Sequence, residues 1–283
     1  MATGTVCLSF DFDAFSLWMA RGLATPGPLS RGEFGAVAVP RILHLLRKRD
    51  IPATWFVPGH TVDTYPDLCR EIADAGHEIG LHGYAHEAVS TLSPQQERAV
   101  FQRAHETLTG LTGSAPRGNR TQSWDLTPHT IAILLELGVL YDSSLMSDDY
   151  TPFYARQGDE VPADQPYRFG ARTGLVELPV SWTLDDYPYF EYFRGSDSVM
   201  PGLRTPDHVF GNFRADVEYM LRDFEDGVCV ITFHPQVIGR GHRLLGLERF
   251  IAGLADLGVT FERLDRVAEQ FAGGRGYGTY RPV

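Results

Sequence analysis

Only three cysteines occur in 283 residues: Cys7, Cys69 and Cys229, far apart and mostly set in apolar runs. An odd, scattered set argues against a disulfide framework or a thiolate metal site and predicts reduced core residues. Positive charge is also scarce, with 25 Lys and Arg against 36 Asp and Glu, a net charge of −11 and a pI near 5.3. That balance weighs against nucleic acid or an anionic membrane surface as partner. No run approaches the length needed to span a bilayer. The N-terminus, Met-Ala-Thr-Gly-Thr-Val-Cys-Leu-Ser-Phe, has neither the basic start nor the long apolar segment of a secretion signal. The expectation is a soluble, cytoplasmic protein. There is no internal repeat and no low-complexity linker. No Gly-x-Gly-x-x-Gly or phosphate loop follows the first apolar strand, which counts against a dinucleotide-binding fold.

What is present is a chain with 43% hydrophobic residues, enough to bury a large core. Val6 to Phe10 reads as a buried strand, followed by a polar Gly/Pro-containing loop from Arg21 to Glu33 and a helix from Val37 to Lys48. Pro52 to Val57 is strand-like, Pro66 to Ala75 helical, and His77 to Leu81 a strand again. Ser93-Pro94-Gln95-Gln96 carries a capping-box start and predicts a helix to about Thr109. A helix from Thr127 to Leu137 and a strand from Val139 to Asp142 follow, then a long loop over Ser147 to Gly174. Leu175 to Trp182 reads as an irregular or edge strand because it contains Pro179. The remaining units are a helix over Arg214 to Glu225, a strand over Val228 to Phe233, a helix over Arg243 to Leu257, a strand over Val259 to Leu264 and a helix over Asp265 to Phe271. The tail from Gly273 is expected to be loose. Seven or eight strand-then-helix units imply an α/β fold with a parallel sheet. This many in a single domain spanning residues 1–283 favours a (β/α) barrel over an open doubly wound sheet.

In such a barrel the chemistry lies where strands end. The strand ends carry Asp11 and Asp13, His60, His82 and His86, Arg120, Asp142, Trp182 with Asp185 and Asp186, and His234. His82 and His86 are four apart, so on a helical turn they would share a face and converge on one atom. Two imidazoles and one carboxylate hold a divalent metal such as zinc and leave a position open for water, whose proton is then lost near neutral pH. A second carboxylate can take that proton, and a histidine opposite can protonate a leaving nitrogen or alkoxide. The residue types alone do not choose among these roles.

Four stretches occur in the order of a known set of motifs: Leu8-Ser9-Phe10-Asp11-Phe12-Asp13, His82-Gly83-Tyr84-Ala85-His86, Gly118-Asn119-Arg120-Thr121-Gln122-Ser123-Trp124 and Ile231-Thr232-Phe233-His234-Pro235. The chain resembles the polysaccharide deacetylase (NodB-homology) family. It is similar to a signal-less branch near peptidoglycan-deacetylase-like proteins and the purine-pathway allantoinases, through Pro52-Ala53-Thr54-Trp55-Phe56, Tyr141-Asp142-Ser143-Ser144-Leu145, Leu184-Asp185-Asp186-Tyr187-Pro188 and Gly239-Arg240-Gly241-His242-Arg243. The resemblance implies a distorted (β/α) barrel with a divalent metal, zinc first, on Asp13, His82 and His86. It implies Asp11 as base, His234 as acid, Arg120 as the group orienting the base, and a homo-oligomer. Trp182, Asp185 and Asp186 would line the substrate pocket.

Two departures from the pattern stand out: Phe12 splits the acid pair, and Gln122 stands at or near a usual proline. The reaction implied is hydrolysis of a non-peptide carbon–nitrogen bond. With no export signal, the expected substrate is a small soluble amide or cyclic imide, under an aromatic lid from Trp182 to Phe193. The alternatives are an N-deacetylase of N-acetylglucosamine-containing polysaccharide or peptidoglycan, and a non-catalytic carbohydrate-binding barrel.

Overall fold

Gly4–Asp11 (β1) is the strand on which the sheet is built. In this computed structural model, which describes residues 4–194, 199–200 and 202–282 (side chains of 193, 194, 199 and 200 excepted), β1 pairs in parallel with three others. These are Thr54–Val57 (β2), the later strand Gly227–Phe233 (β8) and the short Thr260–Phe261 (β9). From β2 the sheet continues through Glu78–Leu81 (β3), Gly118–Asn119 (β4) and Tyr141–Asp142 (β5). It ends in a hairpin of Phe153–Gln157 (β6) and Ala171–Glu177 (β7), with β7 parallel to β5 and β6 antiparallel at the edge. The sheet curls into a distorted barrel. Beyond β7 the chain crosses the open side irregularly, with Val180 N–H donating to Leu145 O and Asp185 bridging to Thr232 of β8.

The period of two along β1 decides what faces where. Val6, Leu8, Phe10 and Phe12 join the larger apolar cluster with Ile231 and Phe233 of β8 and Val39, Ile42, Leu43 and Leu46 of the helix Pro26–Lys48. Cys7 belongs instead to the second cluster, with Phe56, Tyr141, Val176, Val228 and Val230 inside the barrel. Leu264, Val267 and Ala268 of the helix Leu264–Ala272 complete that cluster. Ser9, Asp11 and Asp13 follow Cys7 in the same alternation. The residue that splits the acids, Phe12, is buried on the opposite face, so both carboxylates turn inward.

Several expectations need correction. The helix Pro26–Lys48 begins eleven residues before Val37, replacing most of the expected Arg21–Glu33 loop. Pro26 and Pro28 are tolerated in its first turn, where no intrahelical N–H bond is lost, while Pro40 lies inside the helix. The expected loop from Ser147 to Gly174 contains β6 and the start of β7, short and partly exposed strands whose alternation is too brief to read. The strand expected to reach Trp182 stops at Glu177. The helix Pro206–Asp223 starts eight residues before Arg214. The tail is tied down: Thr279–Tyr280 pairs with Phe224–Glu225, and Tyr277 is buried. The capping box at Ser93 forms as expected, and its helix runs to Thr112. All three cysteines are free and buried. No helix among the described residues is long and apolar enough to cross a membrane.

Candidate metal and acid–base site

The carboxyl ends of β1, β3, β4 and β8 converge on one cavity of about 70 Å³. Asp11, Asp13, His82, His86, Trp182, Asp185 and His234, all marked in the sequence, line it. Arg120 stands directly behind it, and Asp186 backs His234. His60 and Asp142 do not reach it. Asp142 is buried beside Glu177 and accepts from Asn119 and Ser144, which braces the loop after β5. Phe193, the end of the expected lid, has its side chain outside the described residues.

His82 leaves the end of β3, but His86 is not one helical turn beyond it. The intervening residues form a turn in which Gly83 has φ +61° and His86 φ +58°. This left-handed turn swings the two rings together, with centroids 5.4 Å apart and planes nearly perpendicular at 82°. Glycine is required at 83: the conformation disfavours a side chain, and a Cβ there would overlap the buried amide of Gln122.

The ligand atoms of Asp13, His82 and His86 lie within 4.8 Å of one another. Asp13 Oδ1 is 3.3 Å from His82 Nε2 and 3.9 Å from His86 Nε2. His82 Nδ1 lies 2.7 Å from the Arg120 carbonyl, an acceptor only, so Nδ1 carries the hydrogen and Nε2 offers its lone pair inward. Burial brings His86 down to about 4 despite the attraction of Asp13, which keeps its imidazole neutral. Burial alone would raise Asp13, but His86, His82 and His234 outweigh it and hold the carboxyl well below the usual range. Asp13 Oδ1 and His82 Nε2 are buried with no hydrogen-bond partner among the described residues. Two unpartnered ligand atoms of the right kind facing each other in a buried site fit a divalent cation.

Asp11 stands outside that group. Its Oδ1 accepts from Arg120 Nη1 at 2.8 Å, and its Oδ2 is 4.0 Å from His82 Nε2 and 3.9 Å from His234 Nε2. Arg120 is fully buried and well anchored: Nη1 also donates to Ser9 Oγ, Nε to Ser143 O and Nη2 to Ser143 Oγ. Its guanidinium lies 4.4 Å over the Phe56 ring.

His234 faces the pair from β8. Its Nδ1 is 2.8 Å from Asp186 Oδ1 and 3.4 Å from Asp185 Oδ1, and its backbone N–H donates to the same Asp186 oxygen at 3.0 Å. Burial opposes the charged ring, but Asp185, Asp186 and Asp13 raise it to about 10, so it is imidazolium at neutral pH. Burial in turn pushes Asp185 up, to about 7. Asp185 also caps the short helix Asp186–Phe190 through Tyr187 N–H.

Residues not singled out in the sequence complete the wall: Leu17, Arg21, Ser123, Trp124 and Tyr187. Trp124 stacks on the half-exposed Trp182 at 4.2 Å between centroids, and Tyr187 lies 5.2 Å from His234 and accepts from Arg21 at 2.8 Å. These come from short segments distant in sequence. Only their place in the marked motifs, for Ser123, Trp124 and Tyr187, signals them.

A family profile described as polysaccharide deacetylase matches residues 27–141. A peptidoglycan deacetylase of Helicobacter pylori is 35% identical over 280 residues, covering 94% of this chain and 95% of that relative. The chain belongs to the polysaccharide deacetylase family. A Mycobacterium smegmatis structure classed with the polysaccharide deacetylases shares the family fold at a TM-score of 0.84 and 34% identity, covering 98% of this chain and 93% of its own. An allantoinase structure shares the fold at a TM-score of 0.78 and 23% identity, covering 98% and 92%. The curled α/β barrel expected from the strand-and-helix pattern is therefore the family's own. Membership also makes the chain a deacetylase-like hydrolase of a metal-dependent family.

Proposed function

We propose that the chain is a zinc-dependent N-deacetylase that removes the acetyl group from an N-acetylated amino sugar of a peptidoglycan or related glycan. One observation carries the reading: the buried Asp13, His82 and His86 face the protonated His234 across a small cavity backed by Asp11. Asp13, His82 and His86 would hold the metal, which supplies a Lewis acid and lowers the pKa of a water. Asp11, aimed by Arg120, takes the proton of the attacking water as its oxygen adds to the acetamide carbonyl carbon. His234 gives its proton to the nitrogen as the carbon–nitrogen bond breaks, and acetate and a free amine leave. Asp186 and Asp185 keep His234 charged for that step. The small cavity suits an acetamido group. The exposed face of Trp182 at its mouth suits the sugar ring itself. The full-length likeness to a peptidoglycan deacetylase favours this substrate class over the small amide expected from the N-terminus.

A second reading, hydrolysis of a small cyclic imide, is favoured by the wall that Leu17, Arg21, Trp182 and Tyr187 give the cavity. Acetate release from N-acetylglucosamine oligomers, set against ring opening of hydantoin or succinimide, separates the two. Acetate release alone is expected. Ring opening without acetate release contradicts the glycan reading, and oligomer binding without either reaction leaves a carbohydrate-binding barrel.

A further inference from the structure

Asp13 has two carboxylate oxygens, and they are treated differently. Oδ1 faces His82 and His86 and has no hydrogen-bond partner among the described residues. Oδ2 accepts from Gln236 Nε2 at 3.3 Å. The main chain at Asp13 is already pinned, because its carbonyl accepts from Ser16 Oγ at 2.6 Å and Thr61 Oγ1 at 2.9 Å. The freedom that remains is rotation of the carboxylate, and Gln236 is the donor that stops it. Gln236 is buried in the short helix Pro235–Ile238 that begins just after His234. One short stretch thus delivers both the proton donor and the amide that holds the acid opposite it. The chemistry of the amide matters. The His234 Nε2 already lies 3.9 Å from Asp13 Oδ2; a carboxylate at position 236 would repel Asp13, whereas a neutral N–H orients it without adding charge.

We infer that Gln236 is a positioning residue that occupies Asp13 Oδ2, so that Asp13 presents Oδ1 alone to the metal. The inference rests on the reading of Asp13, His82 and His86 as metal ligands. With Gln236 in place Asp13 ligates through one oxygen. Without it both oxygens become available, and the aim of the ligand is lost.

The test uses apo full-length protein titrated with Zn²⁺ and Co²⁺ against a chromophoric chelator, with Gln236→Met as the variant of similar length lacking the donor. The expected result is metal affinity weaker by roughly 10- to 100-fold. Co²⁺ absorption bands should also weaken as coordination number rises, with the apo melting temperature unchanged. Unchanged affinity together with an unchanged Co²⁺ spectrum overturns the inference. Gln236→Glu, which keeps the shape but cannot donate when ionised, carries the same spectral test if the Met variant does not fold: a changed spectrum is expected, and an unchanged one overturns it. Wild-type protein that binds neither ion refutes the metal reading itself, a result distinct from failure of the Gln236 inference.

Discussion

Arg120 serves His82 with its main chain and Asp11 with its side chain: its carbonyl lies 2.7 Å from His82 Nδ1, and its Nη1 donates to Asp11 Oδ1 at 2.8 Å. The two services are separable by mutation. Lysine keeps the positive charge, but its compact ammonium cannot reach Asp11, Ser9 and both Ser143 oxygens at once. Arg120→Lys should therefore bind metal as the wild type does while turnover falls roughly 100-fold or more, the usual weight of a positioned general base. Metal analysis and steady-state kinetics on one preparation check this. Loss of metal together with activity would mean that the side chain, not the carbonyl, holds the ligand set.

His234 and Asp186 make a prediction about pH. With His234 raised to about 10, its acid form persists through neutral pH, so the alkaline limb of the rate profile should lie well above neutrality. Asp186→Asn removes a negative partner and should move that limb down toward the ordinary imidazole range. The sign for stability follows from the same shift. The folded value lies above the unfolded one near 6.5, so the contribution is complete below about 6.5 and is lost as pH rises through about 10. Rate profiles and urea denaturation across that window measure both. An alkaline limb that Asp186→Asn does not move would detach Asp186 from the acid.

Much of the site could be read from strand ends because a parallel barrel gathers them at one rim. Asp11, Asp13, His82, His86 and His234 were marked without coordinates. Which acid faces the two histidines follows only from the family resemblance and not from the residues themselves, because the choice depends on Arg120 reaching across the barrel to Asp11 and Gln236 reaching back to Asp13. These contacts span more than a hundred residues and leave no local periodicity. The geometry of the histidine pair escapes the sequence for the opposite reason: spacing of four evokes a helix, and the left-handed φ at Gly83 and His86 is not written in hydropathy. The helix Pro26–Lys48 was truncated because Pro26, Gly27 and Pro28 look like a loop, although a first turn accepts them.

Gly83 gives a direct test of that turn. Gly83→Ala places a side chain at positive φ and into the Gln122 amide. It should cost about 1–3 kcal/mol of apo stability, the range for a strained backbone position. It should also weaken metal binding, because His86 is aimed by the same turn. Denaturation of the apo protein and metal titration check the two effects. An alanine variant with wild-type metal affinity would show that the turn does not set the ligands.

The measurement that bears most directly on the whole account is metal stoichiometry coupled to turnover in wild type, His82→Ala and His86→Ala. The account predicts one divalent ion per wild-type chain, loss of that ion in both variants, and loss of hydrolysis with it. Recovery of wild-type activity when zinc is restored after chelation should occur in the wild type alone. Wild-type protein free of metal, with neither histidine variant altering turnover, would contradict it.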